Sequence, residues 1–247
     1  MRTFTKEELD KILENHKHWL NEDCEGWKNM KADLSYSDLR YSNLRGSDLR
    51  YINLRGSDLR GSNLRYSDLR YSNLSYSDLR GSDLRGSNLR GSDLRGSNLR
   101  YSDLRYSNLR GSDLRGSDLR GSDLSYSDLS GAKHIPYIPM VCPEEDEFIG
   151  WKKADNHIVK LLIPSDAKRS SSTGRKCRCS KAKVLEIFNL DGTIAEEREV
   201  KSNYDNSFIY KVGETVEVAD FDENRWEECA KGIHFFMQRK EAIDYDM

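Results

Sequence analysis

Between Ala167 and Val184 seven basic side chains occur with no acid among them: Lys168, Arg169, Arg175, Lys176, Arg178, Lys181 and Lys183. Clustered cations of this kind hold phosphates or nucleic acid by charge-assisted hydrogen bonds. Ser170–Gly174 gives the stretch a flexible loop composition. The structural alternative is a solvated loop whose charge offsets nearby acids. Lys168, Arg169, Arg175, Lys176 and Arg178 are therefore candidate anion contacts.

Cys177 and Cys179 sit inside the same run, and on a strand they would share a face. Zinc sites usually combine two close pairs of ligands, and here there is one pair with a short spacing. Cys142, Cys229 and His234 stand elsewhere in the chain, and no local motif joins a cysteine to a histidine as a catalytic pair. The expectation is reduced thiols, no metal, no cofactor and no catalytic residue. His234 is expected to be a satisfied structural histidine.

A second set of cations is periodic. From Leu34 to Leu129 leucine recurs every five residues, in twenty repeats. Serine stands two before each leucine, except at Ala32 and Ile52, and Asp or Asn always stands one before. Arg follows, except at Ser35, Ser75, Ser125 and Ser130, and then Gly or Tyr. A helix would smear leucines of this period around its axis, and a flat strand would alternate them between faces. A chain that turns a corner every five residues points all of them inward. Four sides close a square coil, so residues n and n+20 stack about 4.8 Å apart. Leu34, Leu54, Leu74, Leu94 and Leu114 then form one core column. About five coils make a rod roughly 24 Å long. The inward serine hydroxyls need backbone partners, and Ile52 must bulge or fill a void.

On the outside, Arg40, Arg60, Arg80, Arg100 and Arg120 form one column beside Asp38, Asp58, Asp78, Asn98 and Asp118. These ladders either neutralise each other, with about 0–1 kcal/mol from each exposed pair, or present a charged grid to a partner. Nine tyrosines replace the corner glycines, Tyr101 and Tyr106 among them. Exposed Tyr beside Arg is typical of binding surfaces, but such rings can equally pack over the corners.

Repeats such as SDLRG, SNLRY and SDLRY resemble the pentapeptide-repeat family over about 100 residues. The resemblance implies a β-solenoid, a right-handed quadrilateral β-helix, although the family favours alanine where serine stands here. Several members imitate duplex DNA and bind type II topoisomerases. Residues 32–131 hold thirteen Asp and sixteen Arg, a formal +3, which is a poor copy of a polyanion. The interleaved Asp also opposes direct nucleic-acid binding.

The remainder divides around the rod. Residues 1–31 read as a helix and linker that caps the solenoid: Thr5 and Glu8 fit a capping box, and Leu9, Ile12, Leu13, His16 and Leu20 share a face. A separate partner-binding helix is the alternative. His16 and His18 are expected at a surface or interface, not as ligands. Residues 132–147 carry three of the four prolines and read as a linker, with an α+β domain over 148–247. HIVKLLI, AKVLEIF, SFIYKV and ETVEV suggest an antiparallel sheet, Asp191-Gly192 a tight turn, and RKEAIDY a short helix.

EDEFIGWKKA, IPSDAKRSSSTGRKCRCSKAKVLEI and ECAKGIHFFMQRKEAIDY are similar to a domain of unknown function that follows pentapeptide repeats in phage and Gram-positive bacterial proteins. GIHFFMQRKEAIDY is weakly similar to a segment of ADP-ribosyltransferase folds, with no partner motif for nicotinamide and no nameable catalytic glutamate. The structural alternative there is a core strand and helix.

A net charge of −2 points to no global electrostatic partner. No apolar run is long enough to span a bilayer, so no membrane contact is expected. The odd cysteine count and charged N-terminus fit a reducing cytoplasm, the host's if a phage encodes the chain. The expected function is a non-enzymatic binding or scaffold protein that engages a host protein through the rod and the C-terminal domain. The alternatives are a small-anion, nucleotide or nucleic-acid binder, a topoisomerase-inhibiting DNA mimic and an ADP-ribosyltransferase-like enzyme. A homodimer through a coil end is a further expectation.

Overall fold

The computed structural model describes residues 1–227 and 229–245. The chain divides into two compact units, Met1–Ile138 and Pro139–Met247.

The first unit opens with β1 (Arg2–Thr3), which pairs in parallel with β2 (Ser37–Asp38). Helix α1 (Lys6–Asn21) follows. Its capping box forms: the Glu8 N–H donates to Thr5 Oγ1 at 3.2 Å and the Thr5 N–H to Glu8 Oε2 at 2.8 Å. Leu9 and His16 of its apolar face are buried, and Ile12, Leu13 and Leu20 are half-buried. His16 is fully buried. Its Nε2 donates to the Arg50 carbonyl at 2.9 Å, and its Nδ1 accepts from the Ala32 N–H at 3.1 Å.

The square coil is present. Parallel bridges join residues twenty apart from Asp33↔Asn53 to Asp113↔Lys133. Each coil donates to the next and accepts from the last, as in Leu34 N–H to the Asn53 carbonyl at 2.8 Å and Asp58 N–H to the Ser37 carbonyl at 2.9 Å. The leucines, Leu34, Leu54, Leu74, Leu94 and Leu114 included, are at most 4 % exposed. Most inward serines donate to the carbonyl of the leucine three before, from Ser57 to Leu54 through Ser127 to Leu124, at 2.5–2.8 Å. Ser42, Ser62, Ser87 and Ser107 find no partner, contrary to expectation, and each precedes an Asn. Ile52 is buried without a bulge, because the bridges on both sides of Asn53 stay in register.

The pattern has local reasons. The Oδ1 of each Asp or Asn accepts the N–H of the residue two on, as in Arg40 to Asp38 at 3.2 Å and Arg45 to Asn43 at 3.3 Å. Both residue types supply that oxygen, so both serve. Every corner position has left-handed φ, between 53° and 69°, which favours glycine. The tyrosines occupy it under strain.

The second unit is built on a seven-stranded antiparallel sheet. Its strands are β3 (Phe148–Ala154), β4 (His157–Ile163), β5 (Arg169–Ser171), β6 (Lys176–Cys179), β7 (Lys181–Asn189), β10 (Thr215–Glu217) and β11 (Ile233–Phe236). They run β10-β7-β4-β3-β11-β6-β5, and β8 (Glu199–Lys201) pairs with β9 (Ile209–Lys211). Helix α2 (Arg239–Asp244) packs on β3. Val159, Leu161, Cys177, Cys179, Val184, Ile187 and Phe235 centre the core, and Met140, Val141 and Cys142 of the expected linker pack into it. Among the described residues no helix is long and apolar enough to cross a membrane.

Candidate functional site

On the rod, the choice between Asp and Asn sets what most arginines do; Arg115 departs, its Nη2 lying 3.2 Å from His134 Nε2 instead of on Asp113. Arg40 grips Asp38 with Nε at 2.9 Å and Nη2 at 2.6 Å, and Arg60, Arg80 and Arg120 grip Asp58, Asp78 and Asp118 alike. The Arg40 guanidinium holds the Asp38 carboxyl down at about 2, and Arg120 does the same for Asp118. The column is therefore largely neutralised by its own aspartates. Arg100 is the exception because Asn98 offers no second anionic oxygen. Its guanidinium lies 5.2 Å from the Tyr101 ring centre and donates to the Tyr101 hydroxyl at 3.2 Å. Three other arginines after Asn also lie on rings, Arg45 and Arg65 over Tyr66 and Arg55 over Tyr76, although Arg65 Nε also comes within 3.9 Å of Asp83 Oδ2.

The tyrosine pattern has a packing rule. Where a further coil follows, the ring leans over its corner. Tyr36, Tyr41, Tyr66, Tyr71, Tyr76 and Tyr101 lie where a Cβ on Gly56, Gly61, Gly86, Gly91, Gly96 and Gly121 would fall, 2.6–2.8 Å away. Where the next corner is also Tyr the rings stack, Tyr51 on Tyr71 at 5.3 Å and Tyr106 on Tyr126 at 5.0 Å. The outer faces stay open, with Tyr101 66 % and Tyr106 63 % exposed.

The basic run of the second unit is dispersed. Lys168 pairs with Glu223, Arg175 with Glu241 and Lys181 with Asp166. Arg169 donates to the carbonyls of Pro143, Glu145, Asp146 and Pro164, clamping the entry segment. Arg178 is 2 % exposed, stacks on Phe221 and donates to the carbonyls of Asp222, Asn224 and Lys231. Arg178 is thus a strut and not a surface contact, because the strand turns it inward. No single basic patch forms.

Lys176 alone of the five candidates enters a cavity, of about 720 Å³, together with Lys152 and His234. The cavity lies where β3 and β11 separate, since they pair only at Trp151↔Phe236. Phe208, Tyr210, Phe236 and Tyr245 supply its aromatic walls. Lys176 donates to the Tyr245 hydroxyl at 3.1 Å, and Lys152 lies 5.6 Å from the Tyr210 ring centre. Among the described residues neither lysine forms an ion pair. Burial, then the Lys176 charge, brings Lys152 down to about 8. Burial, then Lys176, Lys152 and Arg178, brings His234 down to about 3. Contrary to expectation, the His234 Nε2 is buried without a hydrogen-bond partner. Lys152 was not legible as a site residue, because a lysine pair in a strand reads as solvent-facing.

The thiols are core residues. Cys177 and Cys179 are fully buried, and Cys142 is 2 % exposed. Burial pushes Cys179 up to about 12. Glu241 is engaged by Arg175 at 2.6 Å and caps α2 through the Gln238 N–H at 3.2 Å. His18, Asp23 and Cys24 bring potential ligand atoms within 4.8 Å of one another. There His18 Nδ1 and Asp23 are already bonded to each other at 2.6 Å.

Residues 30–133 match the model for pentapeptide repeats, and residues 138–242 match a family of unknown function, DUF5758. An uncharacterized protein, L223, of Acanthamoeba polyphaga mimivirus is 38 % identical over 96 residues, which cover 36 % of this chain and 61 % of that protein. A pentapeptide repeat protein from the Arabidopsis thaliana thylakoid lumen is 26 % identical over 43 % of this chain and 65 % of its own, with a TM-score of 0.27. Rfr23 of the cyanobacterium Cyanothece 51142 is 30 % identical over 44 % of this chain and 69 % of its own, with a TM-score of 0.20. Pentapeptide-repeat proteins fold as right-handed quadrilateral β-helices, and the twenty-residue register here fits their four-sided coil. The chain is a pentapeptide-repeat protein whose C-terminal domain belongs to the DUF5758 family of unknown function.

Proposed function

We propose that the chain is a non-enzymatic binding protein whose rod engages a protein partner of the cell in which it acts. The observation that carries this reading is the set of arginines that follow Asn. Among them Arg45, Arg55 and Arg100 lack the aspartate grip of their neighbours and lie against exposed tyrosines, Arg100 on Tyr101 foremost. A guanidinium on an aromatic face gives planar, polar and apolar contact in one place, as protein interfaces use it. The corners hold the rings from below, so they reach a partner with little entropy left to lose.

The finer assignments belong with this reading. The rod has about five coils, and α1 caps its first coil through His16. The partner is a host protein in the cytoplasm, and the mimivirus relative supports a viral setting. A homodimer through a coil end is compatible with the same surface. DNA mimicry is disfavoured, because the aspartates are spent on arginines and the rod carries a formal +3.

A nuclease-treated lysate of that cell tests the reading. The tagged full chain captures a stoichiometric partner that the fragment 139–247 does not, and Arg100→Ala with Tyr101→Gly weakens the capture. Capture by the fragment alone would overturn the assignment to the rod.

A further inference from the structure

The binding proposed for the rod does not draw on the cavity of the C-terminal unit. Three features give it a chemistry. First, Lys152 from β3 and Lys176 from β6 reach it with no carboxylate partner among the described residues. Three acids also line it, but none pairs with Lys152 or Lys176: Asp220 pairs with Lys231, itself at the rim, Asp205 accepts from the Ser207 hydroxyl, and Glu217 lies in the field of Lys181. Two ammonium groups facing one half-buried space repel each other, and a dianion between them removes that cost. Second, Phe208, Tyr210, Phe236 and Tyr245 offer ring surface beside that charge. Third, the His234 Nε2 is buried at the wall and unsatisfied, and a buried polar atom without a partner costs about 1–3 kcal/mol. A ligand with a polar edge relieves it.

We propose that this cavity binds an aromatic phosphate of mononucleotide size, with its phosphate between Lys152 and Lys176 and its ring against the aromatic wall. The volume of about 720 Å³ lies within the range of small-ligand pockets, about 300–1,000 Å³. Lysine holds phosphate as a point charge, without the fork geometry that arginine would demand. The ligand's hydroxyl or ring nitrogen meets His234 Nε2. Burial and the Lys176 charge lower Lys152, and the charge of a bound phosphate opposes both. No arginine of the run competes, since Arg169 and Arg178 are bound to backbone carbonyls.

Isothermal calorimetry on the full chain tests this with adenosine monophosphate, phenyl phosphate, adenosine and inorganic phosphate. Both aromatic phosphates should bind, and adenosine and inorganic phosphate at least about tenfold more weakly. Lys152→Met should weaken adenosine monophosphate at least about tenfold while the melting temperature holds or rises. Lys176→Gln should act similarly and carries the test should Lys152→Met not fold. Lys240→Gln, on the outside of α2, should change nothing. No heat from either aromatic phosphate at millimolar concentration would overturn the proposal. Unchanged affinity in both lysine variants would do so too. Inorganic phosphate binding as tightly as adenosine monophosphate would remove the aromatic half of the site. The rod takes no part in any of these readouts, so they stand apart from the pull-down.

Discussion

The Tyr101 ring lies over the Cα of Gly121, twenty residues on, so closely that a Cβ there would sit 2.6 Å from the ring. The relationship makes two corners one unit. Tyr101 holds left-handed φ of 58° under strain, and its ring covers the next corner, where Gly121 holds 69° without strain. A tyrosine at one corner thus makes glycine the favoured residue one coil later, unless a second ring stacks there as Tyr126 does under Tyr106.

Gly121→Ala should therefore cost more than backbone strain alone. The left-handed conformation costs an L-residue about 1–2 kcal/mol, and the displaced ring adds to it. With Tyr101→Gly in place, Gly121→Ala should lose the second part, a coupling of about 1 kcal/mol in a double-mutant cycle. Chemical denaturation of the four proteins measures it. Additive effects would show that the ring does not rest on that corner.

Asn98→Asp tests the arginine rule. The new carboxylate should grip Arg100 as Asp78 grips Arg80, drawing it off Tyr101. The turn keeps its Oδ1 acceptor for the Arg100 N–H, which Asn98 now supplies at 3.2 Å. The melting temperature should stay within about 2 °C, since exposed ion pairs contribute little. Capture of the partner should fall. Undiminished capture would remove Arg100 from the interface.

The stacking of residues twenty apart was legible in the sequence, because four five-residue sides close a square coil and the pattern repeats twenty times, whereas the unpartnered hydroxyls of Ser42, Ser62, Ser87 and Ser107 were not. The tyrosine rule was not. It needs the twenty-residue register and the lean of the ring together, and the sequence supplies only the first. In the second unit HIVKLLI and AKVLEIF showed as β4 and β7 because apolar residues dominate them. FIGWKKA became β3 unnoticed, since Lys152 and Lys153 break its alternation. The dispersal of the basic run was not legible either. Its cations fall on β5, β6, β7 and the turns between them, and even Lys176 and Arg178, which share a face of β6, part company: Phe221 and the carbonyls of Asp222, Asn224 and Lys231 cover Arg178 while Lys176 reaches the cavity.

His16 should make the docking of α1 sensitive to acid. The Arg50 carbonyl can only accept and the Ala32 N–H can only donate, so the ring is held neutral with its proton on Nε2. Burial lowers its pKa, and the nearby Lys31 and Arg50 add to this against the opposing Arg50 hydrogen bond and Asp48 charge. The undocked histidine titrates near about 6.5. It binds more protons than the docked one below that pH, so docking is full above it and weakens as pH falls. Amide exchange of α1 should speed up between pH 7.5 and 5.5 relative to the coil amides. His16→Gln should flatten that dependence. Equal protection at both values would show that the buried ring does not hold the helix.

Arg178→Lys should destabilise the C-terminal unit by about 3 kcal/mol. One guanidinium reaches the carbonyls of Asp222, Asn224 and Lys231 at 2.7–3.2 Å and covers Phe221. An ammonium on a shorter reach cannot meet three carbonyls spread over two segments, and it leaves buried acceptors unpaired. Those segments carry Ala219, Asp220 and Lys231 at the rim of the cavity, so the loss should also loosen the site. Two transitions should then appear on heating, the C-terminal one lowered and the repeat rod unchanged. A single unshifted transition would mean that the strut is redundant.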